Sequence, residues 1–544
     1  MKRSFKAIAV GFTSAALVAL SLAVVPTAAR ATTPVCATVG GIKSCQGKTS
    51  DGAAFVLQAP LNFNGTAFLY SKGYRYPISI PGLWDVANAS LPEQVPGGAT
   101  QKTAVATYLL SKGYGVFSSG FAKAGWNADG AVKTNVELIG IWKKEFPNTQ
   151  KIVAWGESQG GFITQALAEN HPDLINAAVP LCMVGGSVEA ALKMAGDALW
   201  GMKVFFDPTI KAGGYSAGAA GVVEQLTDIG KIAAALTALS GGVASGAWPA
   251  TATGVPAAIK SAIPSRSAVT MVGQMAGLPN ISANIDGVSG PGDPASLPHA
   301  QFVLGAAPAI ATLQNLQDAA ILGVLITADL EAINGGRVYD NTKADYEAQL
   351  GDAKVIYNLA LSGNDAADAL LGYLKAAPRV AADPAALTKL RAMLSHKGVV
   401  NVPTIAMTAP FESTTPGGHV QWLINANAEN IAKAKEAAVA AIRAGKPRPS
   451  TTNMLMPIWN FPPDKFTTFT ATGAPDTSKP AANGTKHCNY TIPQLTAMAE
   501  IGALAANAGK LPNSAQVRIL MRKAGGLSFD RTFEAPLLKF YAVE

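Results

Sequence analysis

Ser158 stands in Gly156-Glu157-Ser158-Gln159-Gly160-Gly161, between the apolar run Lys151-Ile152-Val153-Ala154-Trp155 and a helical stretch over 162–170 that His171-Pro172 ends. A serine hydroxyl acts as a nucleophile when it is held clear of the backbone beside a base that takes its proton. A sharp strand-to-helix turn holds it so if the flanking positions are nearly side-chain-free, as Gly156 and Gly160 are. The start of the helix also aims free N–H groups and a positive dipole end at any oxyanion formed by attack. These residues suit acyl transfer through a covalent intermediate. Gly214-Tyr215-Ser216-Ala217-Gly218 repeats the spacing, but it follows no buried strand and reads as a flexible loop.

The stretch around Ser158 resembles the nucleophile elbow of the α/β-hydrolases, in which the partners follow in the order serine, acid, histidine. Five histidines are available. His171 ends the helix after Ser158, and His299 and His396 lie in a helical region. His487 stands in the polar loop Asn483-Gly484-Thr485-Lys486-His487-Cys488-Asn489-Tyr490-Thr491, after a strand expected over 466–470 and before a helix from Ile492. That is where the base belongs. A strand over 399–407 leads into Thr408-Ala409-Pro410-Phe411-Glu412-Ser413-Thr414-Thr415-Pro416, whose one carboxylate is Glu412. Asp464 and Asp476 are the fallback acids. His419, seven residues past Glu412, is too close to be its base partner and is a candidate for lining the substrate site. The oxyanion hole needs two backbone N–H groups. Gln159 supplies one; Tyr74 or Gly73, in the loop after the strand over 66–70, supplies the other. Lys72 reads as a solvated lysine, the alternative being a positive charge brought near the site.

His487-Cys488-Asn489-Tyr490-Thr491 is also similar to a His-Cys-x-[Phe/Tyr]-Thr stretch of secreted bacterial α/β-hydrolases. Relatives carry Asp-x-x-x-Pro where this chain has Glu412-x-x-x-Pro416, and often His-Gly where it has Lys72-Gly73. The tannase and feruloyl-esterase group places cysteine before its nucleophile. Here that position is Glu157, so a bond joining the two catalytic neighbours is impossible and that group is not assigned.

Lys2, Arg3 and Lys6 precede an apolar run over 7–25 and the small-x-small site Ala29-Arg30-Ala31, the pattern of a secretory signal peptide over 1–31. No other segment reads as long and apolar enough to span a bilayer. The net charge of +8 includes four basic residues of that leader, leaving too little positive charge for a nucleic-acid partner. Four cysteines in an exported chain suggest two disulfides. Cys36 and Cys45 flank Gly40-Gly41 in a hairpin, which leaves Cys182 with Cys488, two free buried thiols being the alternative. No Cys/His cluster has zinc-ligand spacing, and neither metal nor organic cofactor is required.

Strands over 66–70, 115–118, 151–155 and 177–181 alternate with helices over 102–110 and 132–146, which implies a mostly parallel sheet covered on both faces. The expected architecture is an α/β-hydrolase fold in two blocks, 32–182 and 398–544, with a helical cap over 183–397 inserted after the strand that follows the elbow. Met194, Trp200, Met202, Phe205 and Phe206 open that insertion, either as an apolar lining over the serine or as ordinary cap core. The resemblance, which covers both blocks but not the cap, implies a secreted serine esterase acting on a small-molecule or polymeric ester. A peptidase or acyltransferase of the same fold, and a binding protein on a decayed scaffold, are the competing readings.

Overall fold

The computed structural model describes residues 31–79, 90–243, 245–353 and 363–542, so the expected signal peptide lies outside the described residues. One sheet contains β1 (Val35–Val39), β2 (Ile42–Lys48), β3 (Ala54–Pro60), β4 (Thr66–Ser71), β5 (Gly115–Ser119), β6 (Lys151–Glu157), β7 (Ala177–Leu181), β8 (Thr404–Thr408), β9 (Leu455–Asn460) and β10 (Leu527–Ser528). Their spatial order is β1-β2-β3-β5-β4-β6-β7-β8-β9-β10. The pairs from β5 through β9 are parallel, while β1 to β3 and β10 join antiparallel at the edges.

Alternation explains why the central strands read as unbroken apolar runs. Phe68, Tyr70, Val153 and Trp155 face a core shared with α1 (Ala99–Ser111) and the helix Ile492–Ala508. Ala67, Leu69, Ile152 and Ala154 face the opposite core, with α2 (Ala128–Glu145) and α3 (Gln159–Asn170). A parallel sheet that crosses over between β4 and β5 and is covered on both sides is an α/β-hydrolase fold. Because they run parallel, the C-terminal ends of β4, β6, β7, β8 and β9 lie at one edge.

The strand expected over 466–470 is not there. The last long strand is β9; the two-residue β10 does not reach its Pro457, which sits on an open edge, where strands tolerate proline. The Phe/Thr alternation of 466–470 imitates a strand, but Asp286 holds its backbone: the Phe466 and Thr467 N–H groups donate to Asp286 Oδ2 at 2.7 and 2.9 Å.

Between β7 and β8 the described chain is helical. It comprises α4 (Val188–Phe205), α5 (Gly218–Gly242), α6 (Ala257–Ala262), α7 (Ser265–Ala276), α8 (Leu297–Gln301), a π-helical turn Phe302–Ala306, α9 (Ala307–Asn334), the helix Tyr346–Leu350 with the short 3-10 turn Gly351–Ala353, and the helices Gly363–Ala376 and Pro384–Ala392. Trp200, Met202, Phe205 and Phe206 are buried among these helices, so they are core of the insertion rather than lining. The expectation of no further membrane-length segment needs correction: the continuous helix Leu297–Asn334 is long and apolar enough by composition. It packs against α4, α5 and α7, and half of its most apolar window is buried, as in a core helix.

Asp286 fastens this insertion to the segment leading to His487. Besides Phe466 and Thr467, its carboxylate accepts from the Val288 and Ser289 N–H groups and the Ser289 hydroxyl. Burial pushes its pKa up, but these donors outweigh burial and hold it well below the usual carboxylate range. A depressed folded pKa means that the stabilisation is present above the unfolded value near 3.9 and fades as pH falls through the folded one. Asp286→Ala should therefore lower stability at pH 7 by ~2–3 kcal/mol in urea unfolding, with the difference narrowing toward pH 2. Equal stability of the two proteins at pH 7 would contradict the fastening role.

Candidate active site

Ser158 occupies the single-residue joint between β6 and α3 at φ 58°, ψ −122°, the left-handed side of the map that a serine rarely adopts. Its N–H donates to the Leu181 carbonyl on β7 at 3.0 Å, and its carbonyl accepts the Phe162 N–H at 3.1 Å as the first bond of α3. The neighbouring glycines are needed for space rather than for positive φ. A Cβ on Gly156 would lie 2.4 Å from the Gly160 oxygen, and one on Gly160 would lie 1.9 Å from the Ser71 oxygen. With no room for side chains, β4, β6 and α3 close up and the Ser158 side chain is pushed out of the turn.

His487 comes from the loop between β9 and the helix Ile492–Ala508, and its Nε2 lies 2.9 Å from Ser158 Oγ. Its Nδ1 is hydrogen-bonded to Glu412 Oε1. Glu412 is fully buried in the loop after β8, and its Oε2 accepts from the Thr415 N–H and hydroxyl. Both carboxylate oxygens are thus engaged, one by the base and one by its own loop. Thr415 was not singled out from sequence; its position three residues past the acid is the signal that could have found it. Asp464 is exposed, and Asp476 bonds to Ser478, so neither fallback acid joins the group. Desolvation of the His487 ring favours its neutral form, but the charge and hydrogen bond of Glu412 prevail and raise its pKa above the ordinary imidazole value.

Cys182 and Cys488 are bonded, as are Cys36 and Cys45. The first bond joins the end of β7 to the residue after His487. Lys486 and Cys488 both have positive φ, so the base sits on a tight loop pinned to the sheet. The one grouping of metal-ligand atom types among the described residues is Cys36, Cys45 and Glu145, and its two sulfurs are already joined in a disulfide.

The loop after β4 lies against the nucleophile. A Cβ on Gly73 would be 3.3 Å from Ser158 Cβ and 3.4 Å from the Glu157 oxygen. Among the described residues neither the Gln159 nor the Tyr74 backbone N–H has a protein acceptor. The Tyr74 hydroxyl turns away to Asp329 on α9 at 3.3 Å. The reading of Lys72 as solvated is wrong: it is 3% exposed, its Nζ donates to the Leu91 carbonyl at 3.1 Å, and burial brings its pKa down to about 8. Its long aliphatic stem makes such burial affordable once the tip finds a carbonyl. Glu157 accepts from the Tyr70 hydroxyl and the Gly97 N–H, both at 3.0 Å.

A narrow cavity of about 60 Å³ opens beside Ser158 and Gln159. Leu192 and Met194 of α4 and Leu322 and Ile326 of α9 wall it, so the helices between β7 and β8 lie over the serine. His419 lines it as well. The other histidines stand apart: His171 caps α3, and His396 Nε2 is 2.9 Å from the Phe162 carbonyl beneath that helix. Ser216 bonds to Glu224 through its hydroxyl, with no histidine among its hydrogen-bond partners.

Sheet order and turn together give this chain an α/β-hydrolase fold. No protein-family model matches the sequence, and a search of curated proteins finds no match. Solved structures similar to this chain include feruloyl esterase B from Aspergillus oryzae, at 11% identity and TM-score 0.35, over 77% of this chain and 72% of that one. The rice cell wall degrading esterase LipA from Xanthomonas oryzae matches at 11% identity and TM-score 0.29, over 80% and 92%. The Pyrococcus furiosus esterase Pf2001 matches at 14% identity and TM-score 0.21 over 28% of this chain and 55% of that enzyme, about half its length.

The pinned loop yields a stability test. The Cys182–Cys488 bond spans 306 residues of sequence, and a bridge of that kind contributes ~2–5 kcal/mol by restricting the unfolded chain. Cys182→Ser/Cys488→Ser should show a lower melting temperature and faster proteolysis around residue 487. An unchanged melting temperature would mean that the sheet holds this loop without the bond.

Proposed function

We propose that this chain is an exported serine hydrolase that cleaves carboxylic esters through an acyl-enzyme. The observation that carries the reading is the unbroken hydrogen-bonded series from Glu412 through His487 to Ser158, with the serine held at a strained turn. His487 Nε2 takes the Ser158 proton as Oγ attacks the ester carbonyl, while Glu412 fixes the ring with its proton on Nδ1 and offsets the charge that develops. The oxyanion is received by the Gln159 N–H and by that of Tyr74 or Gly73, each such donor being worth roughly 10²–10³-fold in turnover. The alcohol leaves with the proton from His487, and water repeats the sequence on the acyl-enzyme.

In this reading residues 32–182 and 398–544 form the catalytic domain and 183–397 its cap, the roof of the cavity coming from α4 and α9. Two disulfides support export to an oxidising compartment. The substrate is a small-molecule or polymeric ester whose acyl part enters an apolar cavity.

The mature protein should hydrolyse p-nitrophenyl acetate and butyrate, and Ser158 should react with a fluorophosphonate. Ser158→Ala should lose at least ~10³-fold in kcat. Neither turnover nor labelling in the unmutated protein would overturn the reading. The pH profile gives a second check. His487 must be neutral to accept the proton, and its pKa is raised, so the acid limb of kcat/KM should lie above the ~6.5 of a free imidazole. Glu412→Gln removes the charge that raises it, so the limb should move to lower pH while kcat falls. A limb that stays in place would show that Glu412 is not what sets the base.

A further inference from the structure

Two residues that line the cavity beside Ser158, His419 and Trp126, each carry a buried ring N–H with no acceptor among the described residues. His419, in the first turn of the helix Gly418–Arg443, is 1% exposed, and its Nδ1 accepts the Gly185 N–H at 3.0 Å. The Gly185 carbonyl lies farther from Nδ1, at 3.4 Å, so the closer N–H makes Nδ1 the acceptor and sets the ring proton on Nε2, an atom buried without a partner. Burial lowers the His419 pKa to about 4, so the ring is neutral at pH 7 and keeps this arrangement. Trp126, just before α2, has its backbone N–H committed to Asp329 Oδ2 at 2.6 Å, but its indole Nε1–H is buried without a partner too. An indole N–H can only donate.

The side chains of Gln159, Tyr74 and Thr415 on the same wall have partners. The Gln159 amide donates to the Gly125 carbonyl at 3.2 Å, the Tyr74 hydroxyl reaches Asp329, and the Thr415 hydroxyl lies on Glu412 and the Cys182 carbonyl. Most of the remaining wall is hydrocarbon. Proteins keep few buried donors without acceptors, because each has given up its water for nothing. Two of them around one apolar cavity that ends at the nucleophile point to acceptors brought by a ligand. No lysine or arginine lines the cavity, so an anionic acceptor would enter unpaired. The acceptors that fit are neutral oxygens.

Given the ester-hydrolase reading above, on which this rests, we propose that the preferred substrates are esters whose acyl group carries neutral acceptor oxygens, received by the Nε2–H of His419 and the Nε1–H of Trp126. The acyl group is the part concerned because it stays bonded to Ser158, itself a wall residue of the cavity. A plain alkyl chain fills the same space and leaves both donors bare, and sites built to bond a polar substrate group discriminate strongly against analogues lacking it.

Isosteric pairs test this with little change in shape: p-nitrophenyl butyrate against methoxyacetate, and valerate against 3-methoxypropionate, each differing by CH₂ replaced by O. After division by each ester's hydroxide-catalysed rate, kcat/KM of the unmutated protein should favour at least one oxygen-bearing member by tenfold or more. In His419→Met and Trp126→Phe, the ratio within each variant should fall toward one for the ester whose oxygen that residue receives. His419→Gln, which restores an N–H near the same place, should recover part of it. Ratios near one in the unmutated protein, as if water were resident on both N–H groups, would overturn the proposal. So would a preference that survives both His419→Met and Trp126→Phe. Absence of turnover together with no fluorophosphonate labelling of Ser158 would instead overturn the hydrolase reading, and this proposal with it.

Discussion

The backbone of α3 meets the end of β4 so closely that the Gly160 position leaves no room for even one carbon against the Ser71 carbonyl. Much of the site's geometry depends on that approach. It lets the chain reverse within one residue, which places Ser158 at positive φ and turns its side chain away from the sheet. It brings the loop after β4 close to the nucleophile turn, where a Cβ on Gly73 would lie 3.3 Å from Ser158 Cβ. The strain at Ser158 is held by bonds on both sides, from Leu181 on the neighbouring strand and from the first turn of α3. A larger residue at Gly160 would have to move a β-strand backbone, because the obstructing atom is a carbonyl oxygen and not a flexible side chain.

Where local sequence alone dictated structure, the sequence was readable. The runs 151–155 and 177–181 are apolar on both faces and can only be covered strands, and the glycines at 156 and 160 mark the turn between strand and helix. Ser158, Glu412 and His487 were singled out by residue type and order, and they lie together in the structure. What was not legible depended on contacts remote in sequence. Strand β9 contains a proline and was passed over, because only the shortness of β10 makes that position an edge. The decoy at 466–470 is shaped by Asp286, some 180 residues away in the chain. Lys72 looked solvated because nothing nearby in sequence announces the Leu91 carbonyl that accepts its hydrogen bond. Residues Trp200 to Phe206 could not be sorted between lining and core, since sequence does not show which apolar side of their helix meets Ser158; only Met194 of the named cluster reaches the cavity.

The insertion is joined to the catalytic loops as well as laid over them. Asp286 bonds the backbone at 466 and 467, Ala482 donates to the Ala283 carbonyl at 2.9 Å, and Asp318 of α9 lies 3.6 Å from Lys486 and 3.4 Å from the Ser413 hydroxyl. The loops that hold His487 and Glu412 therefore contact the helices that wall the cavity. Exposed pairs such as Asp318–Lys486 are worth little individually. The clasp at Asp286, with several backbone donors on one carboxylate, is a different kind of contact because it fixes backbone to backbone.

Glutamate in place of aspartate at the acid position raises a geometric question, since the extra methylene gives the carboxylate more freedom. The loop removes that freedom. With Oε2 held by the Thr415 N–H and hydroxyl, Glu412 can turn only Oε1 toward His487, and full burial leaves water no competing role. The imidazole is then fixed from two directions, by the carboxylate on Nδ1 and by the disulfide on the residue that follows it. His419 sits nearby yet is denied any such partner: its Nδ1 faces a backbone N–H, and burial keeps it neutral. Two histidines within one site are driven to opposite protonation tendencies by whether a carboxylate or an amide faces Nδ1. That difference separates the group able to carry a proton from the one able only to donate a hydrogen bond.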